Sequence, residues 1–275
     1  MLNKILVTGG CGFIGSNFLN RMVPRYKKTK FLNIDKLTYA GKIKNLQSIK
    51  RLKNYNFIKI DICNQIKLKK VIKKFNPQIV VHFAAESHVD NSIKNPRHFI
   101  ESNILGTYNI LKSINKKTFL IHISTDEVYG HVGKNKSFTE STKYNPRSPY
   151  SASKASADHL VSAWNTTYGY KSTIVNCCNN FGPNQNKEKF IPLIINNILN
   201  NKRIPIYGNG KQKREWIYVD DFISSIDFII SKKLYGQNFI IGSGIRFENK
   251  IIAKKIIKIF KKKLGFDEKK IKLVR

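Results

Sequence analysis

The sequence predicts an α/β protein built on a doubly wound parallel sheet, with a smaller C-terminal lobe beside it. Three observations predict it. Short apolar runs alternate with helix-like runs through the first half of the chain, as βαβ units require. A glycine-rich turn joins the first apolar run to the first helix-like run. After Asn180 the alternation gives way to segments broken by Gly182-Pro183 and by Gly208-Asn209-Gly210.

Each element has its own reason. Lys4 to Thr8 is a short apolar strand that follows Met1 almost at once, and Gly15 to Arg25 reads as a helix. Lys30 to Ile34 and Phe57 to Ile60 are the next strands, and Gln65 to Phe75 has helical apolar spacing. Ile79 to Phe83 and Thr118 to Ile123 are continuous apolar runs of the kind buried on both faces. Pro149 marks a helix start. Beyond Asn180, a helix is expected from about Phe190 to Asn201, strand and helix over Ile217 to Ile230, and a buried strand at Asn238 to Ile241. Ile251 to Leu264 is an amphipathic, lysine-rich helix with Ile252, Ile256, Ile259 and Phe260 as its apolar stripe. Such a helix packs on the domain or, as the alternative, lies on a membrane surface. The expected division is residues 1–180 as the larger domain, with parts of 214–245 returning to it, and 181–275 as the smaller lobe.

With 275 residues, 41% of them hydrophobic, the chain can bury a substantial core. The net charge of +33 raises nucleic acid or an anionic membrane as partners. The lysines form no single tract and no aromatic and basic pattern is arranged for base stacking. Solvated lysine-rich faces are therefore the expected reading, with no nucleic-acid and no membrane partner. Cys11, Cys63, Cys177 and Cys178 make no C-x-x-C pair and no zinc spacing, so reduced cytoplasmic thiols are expected and no metal site. No span approaches transmembrane length, and no signal-like apolar run opens the chain.

Gly9-Gly10-Cys11-Gly12-Phe13-Ile14-Gly15 is a spacing variant of the dinucleotide fingerprint. Gly9 allows the tight turn, Gly12 lets backbone approach a pyrophosphate, and Gly15 lets helix and strand pack closely. The helix N-terminus then offers free N–H groups to phosphates. Asp35, after the second strand, is placed to accept hydrogen bonds from the adenosine ribose and to repel a 2′-phosphate, which argues for NAD over NADP. Lys36 beside it would tolerate that phosphate. Asp61, after the third strand, either meets the adenine amino group or caps a helix.

A second constellation follows. Thr125, Asp126 and Glu127 come straight after a buried strand, inside Ser124-Thr125-Asp126-Glu127-Val128-Tyr129-Gly130. Tyr150 and Lys154 sit at i and i+4 on one helix face. An acid, a base and a phenol gathered near one point suit proton and hydride chemistry at an alcohol carbon. His88 and His122 lack metal-ligand companions and read as structural.

Several stretches carry a family resemblance: Gly9 to Ser16, Asp35-Lys36-Leu37-Thr38-Tyr39-Ala40-Gly41, Ala84-Ala85-Glu86-Ser87-His88-Val89-Asp90, the Ser124 to Gly130 run, Ser148-Pro149-Tyr150-Ser151-Ala152-Ser153-Lys154, Asn179-Asn180-Phe181-Gly182-Pro183, Glu188-Lys189 and Arg214-Glu215-Trp216. With them the chain resembles the extended short-chain dehydrogenase/reductase family, in its nucleotide-sugar epimerase/dehydratase branch. Tyr-x-x-x-Lys marks only the superfamily. Thr-Asp-Glu before Val-Tyr-Gly marks the dehydratases.

The resemblance implies a Rossmann-like fold, NAD as cofactor and dehydration of a nucleoside-diphosphate glucose, dTDP-glucose first, to the 4-keto-6-deoxy sugar. A UDP-glucose 4,6-dehydratase, a related epimerase or decarboxylase, or an inactive nucleotide-binding protein are the alternatives. It implies catalytic roles for Thr125, Asp126, Glu127, Tyr150 and Lys154. Tyr150 takes the proton of the 4-hydroxyl, its pKa lowered by Lys154 and the cofactor's cationic ring. Glu127 removes the C5 proton, and a protonated Asp126 releases the 6-hydroxyl as water. Besides the glycines, Asp35 and Asp61, it implies cofactor contacts from Phe13, Ile14, Lys36, Leu37, Thr38 and Ile62. Ala84, Ala85, Ser87, Ser102, Tyr150, Lys154 and Asn180 complete that set. Substrate contacts are implied for Ser87, Thr125, Asn179, Lys189, Arg214 and Asn249. Asn103 is implied to support backbone near the site. A homodimer is implied, paired through the helix after Pro149 and the helix around Asn103 to Ser113. The family continues past Arg275 with a segment that helps hold the base, so weak base selectivity is expected here.

Overall fold

The structure is a computed structural model describing residues 3–131, 133, 137–264 and 271–274. Met1 and Arg275, named above, lie outside the described residues. Its chain order begins β1 (Lys4–Thr8), α1 (Phe13–Arg25), β2 (Lys30–Asp35), β3 (Tyr55–Lys59), α2 (Gln65–Phe75) and β4 (Ile79–His82). Next come α3 (Val89–Lys94), α4 (Arg97–Phe99), a π-helical stretch (Ile100–Leu105) and α5 (Gly106–Ser113). Then follow β5 (Phe119–Thr125), α6 (Pro149–Tyr168), β6 (Lys171–Cys177), β7 (Asn179–Phe181) and α7 (Phe190–Leu199). The chain closes with β8 (Ile204–Tyr207), β9 (Lys213–Tyr218), α8 (Val219–Lys232), β10 (Asn238–Ile241), β11 (Arg246–Glu248), α9 (Asn249–Leu264) and β12 (Ile271–Val274).

Among the described residues, seven strands form one parallel sheet in the order β10-β6-β5-β4-β1-β2-β3. The order reverses between β1 and β4, the switch point at which such sheets open a crevice at their C-terminal ends. Strand parity sorts the core. Val7, Phe31, Val81, Ile121 and Val175 face Phe18, Leu19 and Met22 of α1 and Phe222, Ile223 and Ile226 of α8. Leu6, Leu32, Val80, Leu120 and Ile174 face Leu68 of α2, Ile110 of α5 and Val161 of α6. That period-two alternation leaves both faces apolar, so the helices lie on both sides.

A three-stranded sheet, β11-β9-β7, and a strand pair, β12-β8, stand beside the large sheet. α9 packs on α7 and β8 through Ala253 and Ile257, against Ile194, Ile198, Ile204 and Ile206. The expected stripe is therefore turned: Ile256 and Phe260 join that cluster, but Ile259 points to solvent. β10 is an edge strand and only half-buried, because it pairs with β6 alone. α1 begins at Phe13 rather than Gly15, with Gly12 as its N-cap. Among the described residues no helix is long and apolar enough to cross a membrane.

Candidate active site

The C-terminal ends of β1, β2, β4, β5 and β6 open into a cleft of about 1100 Å³. At one end lies the glycine turn. Gly9 has φ +71°, and a Cβ there would stand 2.5 Å from the Ala84 amide nitrogen. A Cβ on Gly15 would collide with the Gly9 carbonyl oxygen, whereas Gly12 meets nothing closer than 3.3 Å. α1 has no side-chain cap and no acid in its first turn, so its free N–H groups and positive dipole end face the cleft unneutralised. These features fit a pyrophosphate.

Asp35 ends β2, buried, with Oδ2 accepting the Cys11 N–H at 2.9 Å and Oδ1 accepting the Leu37 N–H at 2.7 Å. Burial pushes its carboxyl up, and the two backbone N–H groups pull it back. Two backbone N–H donors fix the carboxylate at the cleft wall. Lys36 is bound to Asp61 at 2.6 Å, so it is not poised to receive a 2′-phosphate. Asp61 does not cap α2; Asn64 does, accepting the Lys67 N–H at 3.1 Å. Asp61 Oδ1 instead accepts the Cys63 N–H at 2.9 Å, and the residue lines the cleft with Ile62, Thr38, Ala84, Ala85, Ser87, Ser102 and Asn180. Leu37 does not line it; its N–H serves Asp35, from a left-handed backbone at φ +60°.

The second constellation meets at the middle of the cleft. β5, buried along its whole length, ends at Thr125. A single 3-10 turn, Asp126–Tyr129, then displays both carboxylates. It is set by Thr125 Oγ1, which accepts the Glu127 N–H at 3.2 Å and lies 3.4 Å from Asp126 Oδ1. α6 starts with a capping box between Ser148 and Ser151, with Pro149 at its first turn, and so presents Tyr150 and Lys154 towards β5. All five residues line the cleft.

Their environments differ. Asp126 is pushed up to about 7, first by burial, then by the neighbouring charges of Glu127 and Glu215. Glu127 is open to the cleft by surface area but enclosed by protein on its other sides. That enclosure raises it, while Arg214 and Lys189 lower it. Both carboxyls are raised, and Asp126 also carries the repulsion of its neighbour's charge, so the two environments are unlike. Burial and the Glu127 charge drive the Tyr150 phenol well above 10. The Lys154 ammonium donates to the Ile123 carbonyl at 2.8 Å and approaches His122 Nε2 at 3.3 Å. His122 is therefore not merely structural. It lies against the lysine because β5 and α6 pack together, a tertiary register that no local motif announces.

Towards the small lobe, Lys189 donates to the Ser87 carbonyl at 3.0 Å, and Asn179 Nδ2 reaches the Glu215 carbonyl at 3.3 Å. Both line the cleft; Arg214 and Asn249 do not. Arg214 acts on the two carboxyls by charge alone, and Asn249 opens α9 with a buried Oδ1 that has no hydrogen-bond partner among the described residues. Asn103 holds the cleft wall, with Oδ1 accepting the Glu86 N–H at 2.8 Å and Nδ2 donating to the Glu86 carbonyl at 3.0 Å and to Ser153 Oγ at 2.9 Å. Two residues were not foreseen. Trp216 stacks on Phe190 at 5.8 Å with its indole N–H unpartnered at the cleft wall. Asp158 is buried beside His122, and its spacing of one turn beyond Lys154 was the available signal.

The family model described as GDP-mannose 4,6 dehydratase matches residues 6–274. The chain belongs to that family. A dTDP-glucose 4,6-dehydratase of Escherichia coli is 43% identical over 276 residues, covering 93% of this chain and 76% of that protein. The structure of a dTDP-glucose 4,6-dehydratase from Bacillus anthracis in complex with NAD aligns with TM-score 0.89 and 41% identity over 99% of this chain and 84% of that one. DesIV, a dTDP-glucose 4,6-dehydratase from Streptomyces venezuelae with NAD and TYD bound, aligns with TM-score 0.90 and 36% identity over 98% of this chain and 84% of that one.

Proposed function

We propose that this chain removes water from dTDP-glucose, with NAD as its recycled cofactor, to give the 4-keto-6-deoxy sugar. The observation that carries the reading is the unlike pair Asp126 and Glu127, held on one turn beside Tyr150. The names of the relatives support the substrate and the NAD. In this reading residues 1–180, with parts of 214–245, hold the dinucleotide, and residues 181–275 hold the sugar nucleotide.

Bound in the cleft, the dinucleotide supplies a hydride acceptor for C4 and the hydride donor for C6. The chain's residues do the rest. Tyr150 Oη takes the proton of the sugar 4-hydroxyl, and the Thr125 hydroxyl orients that oxygen. The cation needed to bring the buried phenol down into working range is Lys154, together with positive charge on the bound cofactor. With C4 at the ketone level the C5 proton is acidic, and Glu127, on which Arg214 and Lys189 oppose the effect of burial, removes it as the carboxylate. Asp126, raised to about 7 by burial and by the Glu127 charge, gives its proton to the departing 6-hydroxyl, which leaves as water. Glu127 returns its proton to C5. Lys189 and Arg214 supply positive charge for the diphosphate.

The protein is read as a cytoplasmic homodimer. Cys11, Cys63, Cys177 and Cys178 are free thiols, which fits a reducing compartment. The helices of residues 97–113 and 149–168 expose Ile100, Leu105 and Tyr168, an apolar surface that supports self-pairing. Mass spectrometry of products from dTDP-glucose and UDP-glucose tests the function. Loss of one water from dTDP-glucose is expected, and an unchanged mass for both, or an isomer in place of the dehydrated product, would overturn it.

A further inference from the structure

Tyr150, Lys154 and Asp158 follow one another at four-residue spacing and form a single stripe on α6. The first two have roles in the reading above. The third is a carboxyl group with 1% of its side chain exposed, directly behind the lysine, and the chemistry as described gives it nothing to do.

Its surroundings are built. Asp158 Oδ2 accepts the Ser124 hydroxyl at 2.7 Å, the Tyr144 hydroxyl at 3.0 Å and the Asn176 amide at 3.3 Å. Oδ1 lies 3.1 Å from His122 Nε2, and the same nitrogen lies 3.3 Å from the Lys154 ammonium. One imidazole nitrogen thus stands between a buried cation and a buried carboxylate. Neither His122 Nδ1 nor Asp158 Oδ1 has a hydrogen-bond partner among the described residues. His122 is held down to about 4 by burial and by the Lys154 charge, so the ring is neutral, and an Nε2 that accepts from Lys154 does not also donate to Asp158.

A buried ammonium needs a counter-charge, or it loses its proton. Burial does press the Lys154 pKa down, and Asp158 opposes this. The groups around Lys154 are Tyr150 and Asp158 from α6, His122 from β5, His82 from β4 and the Cys177 thiol from β6. Those around Tyr150 are Thr125 from the end of β5, Asp126 and Glu127 just beyond it, Cys177 from β6 and the Phe99 ring from α4. Asp158 is the carboxylate on the lysine's side, away from the sugar.

We propose that Asp158 is a positioning residue for this reaction: by its buried negative charge it holds Lys154 as a cation one helical turn from Tyr150. The proposal rests on Tyr150 being the base of the first step. It commits to a sign. Acting directly through space, removing a nearby anion would make Tyr150 easier to deprotonate. Acting through the lysine, removing Asp158's charge discharges Lys154 and makes Tyr150 harder to deprotonate.

The test follows the Tyr150 ring by NMR of protein labelled at the tyrosine Cζ and saturated with NAD, with Tyr150→Phe assigning the signal. Asp158→Asn is expected to move the Tyr150 midpoint up by about one pH unit or more, and the acid limb of turnover with it. In a Lys154→Met background the same substitution should cause no upward shift. A folded Asp158→Asn protein with an unchanged or lowered midpoint would overturn the proposal, as would equal upward shifts in both backgrounds. If Asp158→Asn does not fold, Asp158→Ser must raise the midpoint, and no change there is equally fatal. The titration needs no sugar nucleotide. An error in the substrate reading leaves it intact, while an unmoved midpoint in a dehydrating enzyme sinks only the role of Asp158.

Discussion

Asp126→Asn should stabilise the protein at pH 8 and do nothing for it at pH 4. The Asp126 carboxyl is raised from its ordinary 3.8 to about 7 in the folded chain. A raised carboxyl binds its proton more tightly folded than unfolded. Stability is therefore full below the unfolded value near 4 and is lost as pH climbs towards 7. The loss accumulates at about 1.4 kcal/mol per pH unit, to a ceiling of about 4 kcal/mol. Water entering the cleft and local relaxation leave roughly half of this, about 2 kcal/mol. Asparagine has the same shape, still accepts from Thr125 and never ionises, so it escapes the cost. For a chain of this size about 2 kcal/mol is a melting shift of about 4 °C. Differential scanning fluorimetry of both proteins from pH 4 to pH 8.5 reads it. The variant's advantage should grow with pH and level off above pH 7. A constant offset across the range, or destabilisation at pH 8, would refute the assignment of Asp126 as a protonated acid. At pH 7 about half of the Asp126 groups carry the proton and at pH 8 about a tenth, so water loss should slow along the same curve.

Glu127→Gln should abolish uptake of solvent deuterium at C5 while oxidation at C4 persists. NMR of the recovered sugar checks this, and retained full dehydration would reassign the base. Gly15→Ala places a methyl against the Gly9 carbonyl and should lower NAD affinity by at least about tenfold; calorimetry reading unchanged binding would count against the cradle. Asp35→Ala should weaken NAD and narrow its preference over NADP, since the fixed anion is removed and Lys36 stays tied to Asp61; an undiminished NAD preference in paired titrations would argue otherwise.

The glycine cradle and the Tyr150–Lys154 pair were readable because local rules govern them. A Cβ either clears a neighbouring backbone or does not, and i to i+4 spacing fixes a helix face. Other features depend on packing between distant segments. β6 is not among the expected strands; it buries the polar Ser172, Thr173 and Asn176, and Asn176 Nδ2 donates to the Thr125 carbonyl at 3.1 Å. The π-helical stretch Ile100–Leu105 has no residue signature of its own. β10 was expected to be buried because its composition is that of a central strand; its place at the sheet edge follows from pairing order. The Tyr150 environment depends on tertiary packing, with burial and the Glu127 charge raising the phenol. His122 and Asp158 escaped for the same reason, since their meeting depends on how β5 lies against α6.

The central claim is that one site oxidises C4, expels water across C5 and C6, and returns the same hydride to C6. Incubation of the protein with dTDP-glucose deuterated at C4, in ordinary water, tests this most directly. The account predicts a 4-keto-6-deoxy product with the deuterium on C6 and none at C4. Deuterium retained at C4, or lost to solvent, would contradict it.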